Sequence, residues 1–544
     1  MTAILDDPRT VAEMVDRAGR DDFDRWAEQV ERCGRCARPV RLRGRITAGR
    51  RETYSTDSEP DGVLLVRCRN RRASVCPSCS YEYAGDIWQL LYAGAAGGRK
   101  GVPESVRSHP LVFVTLTAPG FGPVHTTRAD RRGRRGRCRP WGEGKLCRHR
   151  RPTWCQAVHG EDDERLGTPI CGDCYDYAGH VAFNWYAPEL WRRFTIALRR
   201  VLARRLGLTV GQLAGSARLS FAKVAEFQRR GVVHFHALIR FDGPEPFTPP
   251  QVWVRTSELA EAVHEATRRV QVIAGVLQPG VLTAQHQGGN HEHQSDERPD
   301  ADEELPRTIT LDRTRDGNAS EASSEDQDRP PIPVEDVSTL RAPRPSHDSA
   351  IPHPGTKPIL LRFGEQTDVQ LIGGDTDCEL TPERVAAYLA KYATKSAEDF
   401  GLGERRLSGL ALDGVGVSAH VARIVRTAWD LGMVEELTGL RRWLHMLGFR
   451  GHFATKSRRY STTLGAIRRE RSDYRRRQLA DARPVGVEDQ AGDDSTLVVG
   501  HWQFVGLGYL TGGDAELALA SAARAREQRE AARDHIGREE DNHD

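Results

Sequence analysis

The chain has 544 residues, 38% hydrophobic and 28% charged, at a formal net charge of +3. No run approaches the ~18–20 apolar residues of a membrane span, and the opening MTAILDDPRTVAEMVDRAGR lacks the basic start and apolar core of a secretory signal. A cytoplasmic protein of roughly two to four domains, without membrane contact, is expected.

Residues 1–32 read as helical, with DDFDRWAEQVER as an amphipathic stretch. Eleven cysteines in a cytoplasmic chain argue for metal sites over disulfides. Cys33-x2-Cys36 and Cys76-x2-Cys79 form a four-thiolate Zn2+ candidate, with Cys68 spare. Paired knuckles of this spacing suit tetrahedral zinc, which staples loop-rich segments. IWQLLYAGAAGG reads as a short helix, and HPLVFVTLTAPG (109–120) as a strand stopped by Pro-Gly. Residues 121–180 are rich in arginine and cysteine and show little periodicity, as a metal-stapled insertion would. Cys171-x2-Cys174 is a further knuckle; Cys147 and Cys155 are assigned to it as a second Zn2+ site, with Cys138, His149 and His159 as competitors. APELWRRFTIALRRVLARRLG (187–207) is an amphipathic helix.

ARLSFAKVAEFQ, the turn Arg229-Arg230-Gly231 and VVHFHALIRF read as a hairpin. Strand alternation puts Val233, Phe235, Ala237, Ile239 and Phe241 on one apolar face and His234 and His236 on the other. With Gly231 at positive φ in a three-residue turn, Glu226 faces His234 and Phe227 faces Val233. Two imidazoles and a carboxylate leave open positions on a divalent ion, which can polarise a phosphate oxygen. Taken alone, His-x-His fits equally a half-buried strand whose histidines only hydrogen-bond.

VRTSELAEAVHEATRRVQVIAG (254–275) is expected to be one helix, and 285–356 to be disordered, given its polar composition and few aromatics. Between His291 and Asp336 there are 15 acidic and 5 basic residues, which leaves 74 basic against 61 acidic elsewhere. A basic body of this kind suits a polyanionic partner. ILLRFGEQTDVQLIGG resumes strand character. LTPERVAAYLAKYATKS is a helix with Thr381 as N-cap, Pro382 at its first position and Glu383 in its first turn. Tyr388, Lys391, Tyr392 and Lys395 share one stripe of it. A phenol is a weak nucleophile unless activated, and nearby ammonium groups both favour phenolate and stabilise a phosphoryl transition state. The alternative is tyrosines that pack, with lysines as solubilising charge. A helical block covers 415–447. GFRGHFATKSRRYSTT (448–463) mixes aromatic and basic residues as single-strand binding requires. Lys456, Arg458, Arg459 and Tyr460 are the candidate DNA contacts, against a loop that simply docks on the domain. HWQFVGLGY (501–509) reads as a packing strand, and DAELALASAARAREQREAARDHIG as a polar, solvent-facing helix.

The ordered set FVTLTAPG, GVVHFHALIRFDG and YLAKYATK resembles the three motifs of His-hydrophobe-His rolling-circle replication initiators, most of all those of actinobacterial plasmids and integrative elements. The similarity continues through CYDYAGHVAFNWYAPELWRRF, LRFGEQTDVQLI and MLGFRGHFATKSRRYSTTLGAIRR, and so spans most of 60–510 outside the acidic segment. It implies an α+β nuclease fold: a central antiparallel sheet with flanking helices, interrupted by zinc-stapled insertions and a disordered acidic loop. It also implies nicking of one origin strand through a tyrosine–DNA 5′-phosphodiester, release of a 3′-OH primer and later rejoining. His234 and His236 match the family's metal ligands, here for Mg2+ or Mn2+, and Tyr392 matches the nucleophile. Tyr388 stands where some relatives carry a glutamate that activates water; it is either a second nucleophile or the first, with the roles reversed. Lys391 and Lys395 would orient the phosphate, and Thr115 and Thr117 belong to the structural first motif. Glu226 as third ligand rests on the hairpin register alone. The implied partners are single- and double-stranded origin DNA and a host helicase.

The expected organisation is a helical and zinc-binding region (1–105), the first nuclease strand (106–120), the zinc-bearing insertion (121–180), the core with the metal hairpin (181–284), the acidic insertion (285–356), the core with the tyrosine helix (357–412), a DNA-binding region (413–512) and a polar helical tail (513–544). A relaxase or transposase of the same superfamily, or a non-catalytic zinc-dependent DNA-binding regulator, are the competing readings.

Overall fold

In the computed structural model the described residues are 7–49, 51–129, 132–277, 309–312, 356–372, 380–395, 397–403, 406–407, 416–481 and 498–541. Five strands build the central sheet: β1 (Leu111–Leu116), β2 (Arg218–Phe227), β3 (Val233–Asp242), β4 (Thr367–Ile372) and β5 (Ala454–Lys456). Their spatial order is β4-β1-β3-β2-β5, and every neighbouring pair is antiparallel. β3 is thus the middle strand.

The β2–β3 turn is closed by Gln228 N donating to Val232 O at 2.8 Å and Gly231 N donating to Gln228 O at 2.7 Å. Gly231 has φ +80°, which glycine adopts without the Cβ clash of other residues. The resulting register sets Glu226 opposite His234 and Phe227 opposite Val233.

The pleat then sorts the helices. Val233, Phe235, Ala237, Ile239 and Phe241 share the main core with Val181, Leu190, Phe194 and Leu198 of α2 (Tyr177–Arg205). On the opposite face, Leu238 packs with Leu111, Phe113, Ala222 and Val224. That face is covered by Ile87, Leu90 and Leu91 of α1 (Pro77–Ala96) and by Val385, Ala386 and Leu389 of α3 (Pro382–Ala393). His234 and His236 point to this second face, so the tyrosine helix α3 lies on the side that carries the imidazoles. Thr381 caps α3 by accepting from Arg384 N at 3.3 Å.

Several elements depart from expectation. α2 begins at Tyr177 rather than Ala187: Asp176 caps it by accepting from Gly179 N at 2.8 Å, and the helix continues through Pro188. An interior proline costs about 3 kcal/mol; burial of Val181, Phe183 and Trp185 ahead of it compensates. The helix expected over 254–275 ends at Arg268, and Gln271–Leu277 is a strand paired with Thr356–Arg362. Alternating burial of Val270, Val272 and Ala274 explains the switch of period. The 415–447 block is α4 (Ala419–Leu431) followed by 3-10 turns over Glu435–Met446. Of the segment 285–356, the described residues are Ile309–Asp312 and Thr356, which lie in strands; the expectation of disorder for the remainder falls outside the described residues.

A second sheet joins distant parts of the chain. Val40–Ala48 pairs with Arg51–Ser55, Leu64–Val66 and Val498–Leu507, and Ile309–Asp312 extends it along Val498–Leu507. The terminal helix Gly512–Asp541 does not simply face solvent: buried Arg17 donates to buried Asp514 at 2.7 Å, tying its start to helix Pro8–Ala18.

α2 and α4 also grip the hairpin turn. His180 Nε2 lies 3.0 Å from Gly231 O, His420 Nε2 3.0 Å from Arg230 O, and Asn184 donates to Gly231 O at 2.9 Å. Tyr175 and Tyr177 hydroxyls meet the Nδ1 atoms of His180 and His420 at 3.1 and 3.0 Å. Burial pushes the His180 imidazole down to about 3, so it is neutral and donates Nε2–H to the carbonyl. An unfolded histidine titrates near 6.5. The neutral form's stabilisation is therefore complete above pH 6.5 and lost as pH falls toward 3. Urea melts should show stability falling by about 1.4 kcal/mol per pH unit in that window, with a flatter profile in His180→Gln.

Candidate metal centre and tyrosine helix

Glu226 Oε2 lies 3.0 Å from His234 Nε2 and 3.3 Å from His236 Nε2. The three ligand atoms all fall within 4.8 Å of one another. On the far side of His236, Nδ1 meets Thr115 Oγ1 at 3.0 Å, because Thr115 pairs with His236 across β1 and β3. An Nδ1–H donated to that hydroxyl leaves the Nε2 lone pair aimed at the cluster. Burial lowers the His236 pKa, and Glu226 only partly offsets this, so the ring is neutral as a metal ligand must be. Burial alone would push Glu226 up, yet the two imidazoles outweigh it and hold the carboxyl below its usual range. A carboxylate held charged, the neutral His236 ring and the His234 ring beside it are a fitting donor set for a divalent cation.

The tyrosines of α3 reach this cluster. The His236 ring centroid is 5.2 Å from that of Tyr388 and 5.8 Å from that of Tyr392, and the two phenol rings are 4.6 Å apart. Phe113 stacks on His236 at 5.8 Å and fixes its plane. Lys395 Nζ sits 4.9 Å from the Tyr392 ring centroid. Burial raises the Tyr388 pKa, with Tyr392 and Glu226 adding to it, so Tyr388 is held as a protonated phenol.

Lys391 departs from the expected stripe. It is exposed and lines a separate cleft with Trp88, Lys100 and Arg471. One residue is about 100° of helix rotation, so the seating that turns Tyr388 and Tyr392 toward His236 turns Lys391 aside. Two carboxylates that the sequence reading did not single out act on this region: Asp368, opposite Thr115 in the sheet, raises His236, and Asp399 is pushed up by burial while Lys395 draws it down.

Residues 22–290 and 334–523 match the family model described as RepSA, "Replication initiator protein, pSAM2". A curated relative from Streptomyces ambofaciens, named "Replication initiator protein", is 37% identical over 546 residues, covering 98% of each chain. The chain belongs to this replication initiator family. The resemblance carried by the three motifs is borne out at that level. The two matched stretches leave out most of the acidic segment. No solved structure matches. No helix among the initiator's described residues is long and apolar enough to cross a membrane.

The cysteines cluster differently from the pairings expected. The first consists of Cys36, Cys68, Cys76 and Cys79, with Cys68 in the place expected for Cys33. Cys36 Sγ lies 3.7 Å from both Cys76 and Cys79. Cys33 ends helix Phe23–Arg32 and its thiol is directed to Val30 O at 3.3 Å. Cys68 is brought in by a tight turn with Arg69 at φ +54°, where Cys68 N donates to Cys36 Sγ at 3.3 Å. Cys68→Ser should therefore abolish zinc retention at this cluster while Cys33→Ser keeps it, as read by metal content after dialysis. The second cluster is Cys147, His149, Cys171 and Cys174, so His149 stands in for Cys155. Cys155 groups instead with His125, Cys138 and His159, a set the sequence reading did not assemble.

The expected DNA contacts divide. Tyr460 is wholly buried and donates its hydroxyl to Leu91 O at 3.1 Å, so it offers no stacking face. Lys456 Nζ is spent on the carbonyls of Ser457, Arg458 and Ser461 at 3.0–3.2 Å. Arg459 donates to Pro244 O. Arg458 is exposed. This stretch is mainly the docking loop named above as the alternative.

Proposed function

We propose that this initiator is a His-hydrophobe-His nuclease that opens one strand of origin DNA through a tyrosine–DNA linkage and so starts rolling-circle replication. The observation that carries the reading is the contact of both tyrosine rings of α3 with the His236 ring, 5.2 and 5.8 Å between centroids. A cation site and a pair of phenols thereby face the same space, from segments more than a hundred residues apart in sequence.

Glu226, His234 and His236 would hold Mg2+ or Mn2+, which supplies Lewis-acid polarisation of the scissile phosphate. The Tyr392 oxygen attacks phosphorus; the new O–P bond forms as the P–O3′ bond breaks. The phenol proton passes to solvent and the departing 3′-oxygen takes up a proton, becoming the primer hydroxyl. Lys395, beside Tyr392, stabilises charge that builds on the phosphoryl group. Tyr388, whose ring lies 4.6 Å from that of Tyr392, serves as the second tyrosine for the closing transfer. Thr115, on His236 Nδ1, would keep the Nε2 lone pair turned toward Glu226 and His234, where a cation would be held.

The test is incubation of the full chain with labelled origin single strand, with Mn2+ or with chelator. A covalent protein–DNA band that needs the cation is the expected result; cleavage with no covalent band, or no cleavage on any origin strand, contradicts the reading.

A further inference from the structure

The insertion between β1 and α2 contains two donor clusters, chemically separate, where one was expected. Cys147, His149, Cys171 and Cys174 account for one, with His149 Nδ1 3.3 Å from Cys174 Sγ. The other is built with equal care. His125 Nδ1 lies 3.1 Å from His159 Nε2, and Cys155 Sγ lies 3.5 Å from the same nitrogen. Cys138 Sγ accepts from Thr126 N at 3.3 Å, a contact that stabilises thiolate. All four ligand atoms fall within 4.8 Å of one another, and Cys138 and His159 are buried.

The surroundings orient these donors. His159 Nδ1 is 2.7 Å from Asp163 Oδ2, and Arg165 pairs with Asp163 at 2.8 Å. A carboxylate on Nδ1–H fixes the tautomer that turns the Nε2 lone pair inward. Paired backbone bonds between Arg139 and Cys155, at 2.9 and 3.0 Å, clamp the two cysteine segments together. His125 N and O bond to Thr168 O and Gly167 N, each at 2.9 Å, so the loop that leaves His159 returns to His125. Two thiolates and two imidazoles converging on one point are the donor set of tetrahedral zinc.

The loop closed in this way touches the catalytic hairpin. Gly167, at φ +83°, lies so near the β2–β3 turn that a Cβ there would come within 2.4 Å of Arg229 backbone atoms. Arg229 in turn donates to Glu161 O.

We propose that His125, Cys138, Cys155 and His159 bind a zinc ion of their own, and that this centre braces the turn that positions Glu226 and His234. The zinc assignment stands independently of the nicking reading; the bracing role rests on Glu226, His234 and His236 being the cation site.

Native mass spectrometry of the full chain expressed with zinc tests the assignment. Three zinc ions are expected, one for each cysteine-bearing cluster among the described residues. Cys155→Ser and Cys174→Ser should each retain two, and the double variant one. Two ions in the unaltered chain, or a double variant that loses no more than either single variant, would overturn it. For the brace, Mn2+ titration of Cys155→Ser should show affinity weakened about 10-fold, the lower end of effects that act through a ligand's support. Unchanged Mn2+ affinity in a variant that has lost its zinc overturns the brace. Failure of the unaltered chain to bind Mn2+ would fault the catalytic reading instead, leaving the zinc count to stand or fall separately.

Discussion

Tyr392→Phe should abolish the covalent protein–DNA band, a loss on the order of 10^4-fold or more, as when a nucleophile is deleted from an enzyme whose other groups remain. The substitution removes one oxygen and keeps the ring, so the contacts to His236 and Tyr388 persist and folding is little affected. Tyr388→Phe should retain the first adduct and lose the closing transfer. The asymmetry has an electrostatic origin. Partial burial, the neighbouring Tyr392 and Glu226 all raise the Tyr388 pKa and so disfavour its phenolate, whereas Lys395 sits against Tyr392. Denaturing gels of reactions on labelled single strand separate the two steps, because the adduct and the rejoined strand migrate differently. If Tyr388→Phe loses the first adduct and Tyr392→Phe keeps it, the order of the two tyrosines is reversed.

The second large effect is on the cation. Glu226→Gln preserves shape but removes the one anionic donor of the cluster, and Mn2+ affinity should fall by at least about 100-fold in calorimetric titration. Thr115→Val, nearly isosteric, leaves all three ligands in place and removes only the hydroxyl on His236 Nδ1. It should weaken binding by about 10–100-fold. A Thr115→Val protein with unaltered affinity would mean that Phe113 stacking and burial orient His236 without the hydrogen bond.

The hairpin was legible in the sequence because two rules fix it completely. A period of two assigns every side chain of β3 to a face, and one glycine at positive φ sets the register. The capped tyrosine helix was legible for the same kind of local reason. The metal clusters were not. A C-x2-C knuckle announces two thiols, but its partners are chosen by how irregular loops close, and these leave no period to read. Cys68 enters through a turn with Arg69 in the left-handed region, a conformation that an arginine does not advertise. The start of α2 at Tyr177, ahead of the expected Ala187, was not legible because it depends on tertiary burial of Val181, Phe183 and Trp185, and the helix runs on through Pro188. Tyr460 was not legible for a similar reason. Aromatic and basic residues compose both a single-strand groove and a buried loop. The distinction lies in Gly94 of α1, where a Cβ would come within 2.1 Å of the Tyr460 ring.

One measurement bears most directly on the meeting of cation and phenol at a single phosphodiester. The covalent adduct formed by the unaltered chain on origin single strand is digested and its nucleotide-bearing peptide sequenced by mass spectrometry, alongside reactions of His236→Ala. The structure leads us to expect the nucleotide on Tyr392, within the helix Pro382–Ala393, and no adduct from His236→Ala. A nucleotide on a tyrosine outside that helix, or an adduct that forms undiminished without the His236 imidazole, would contradict it.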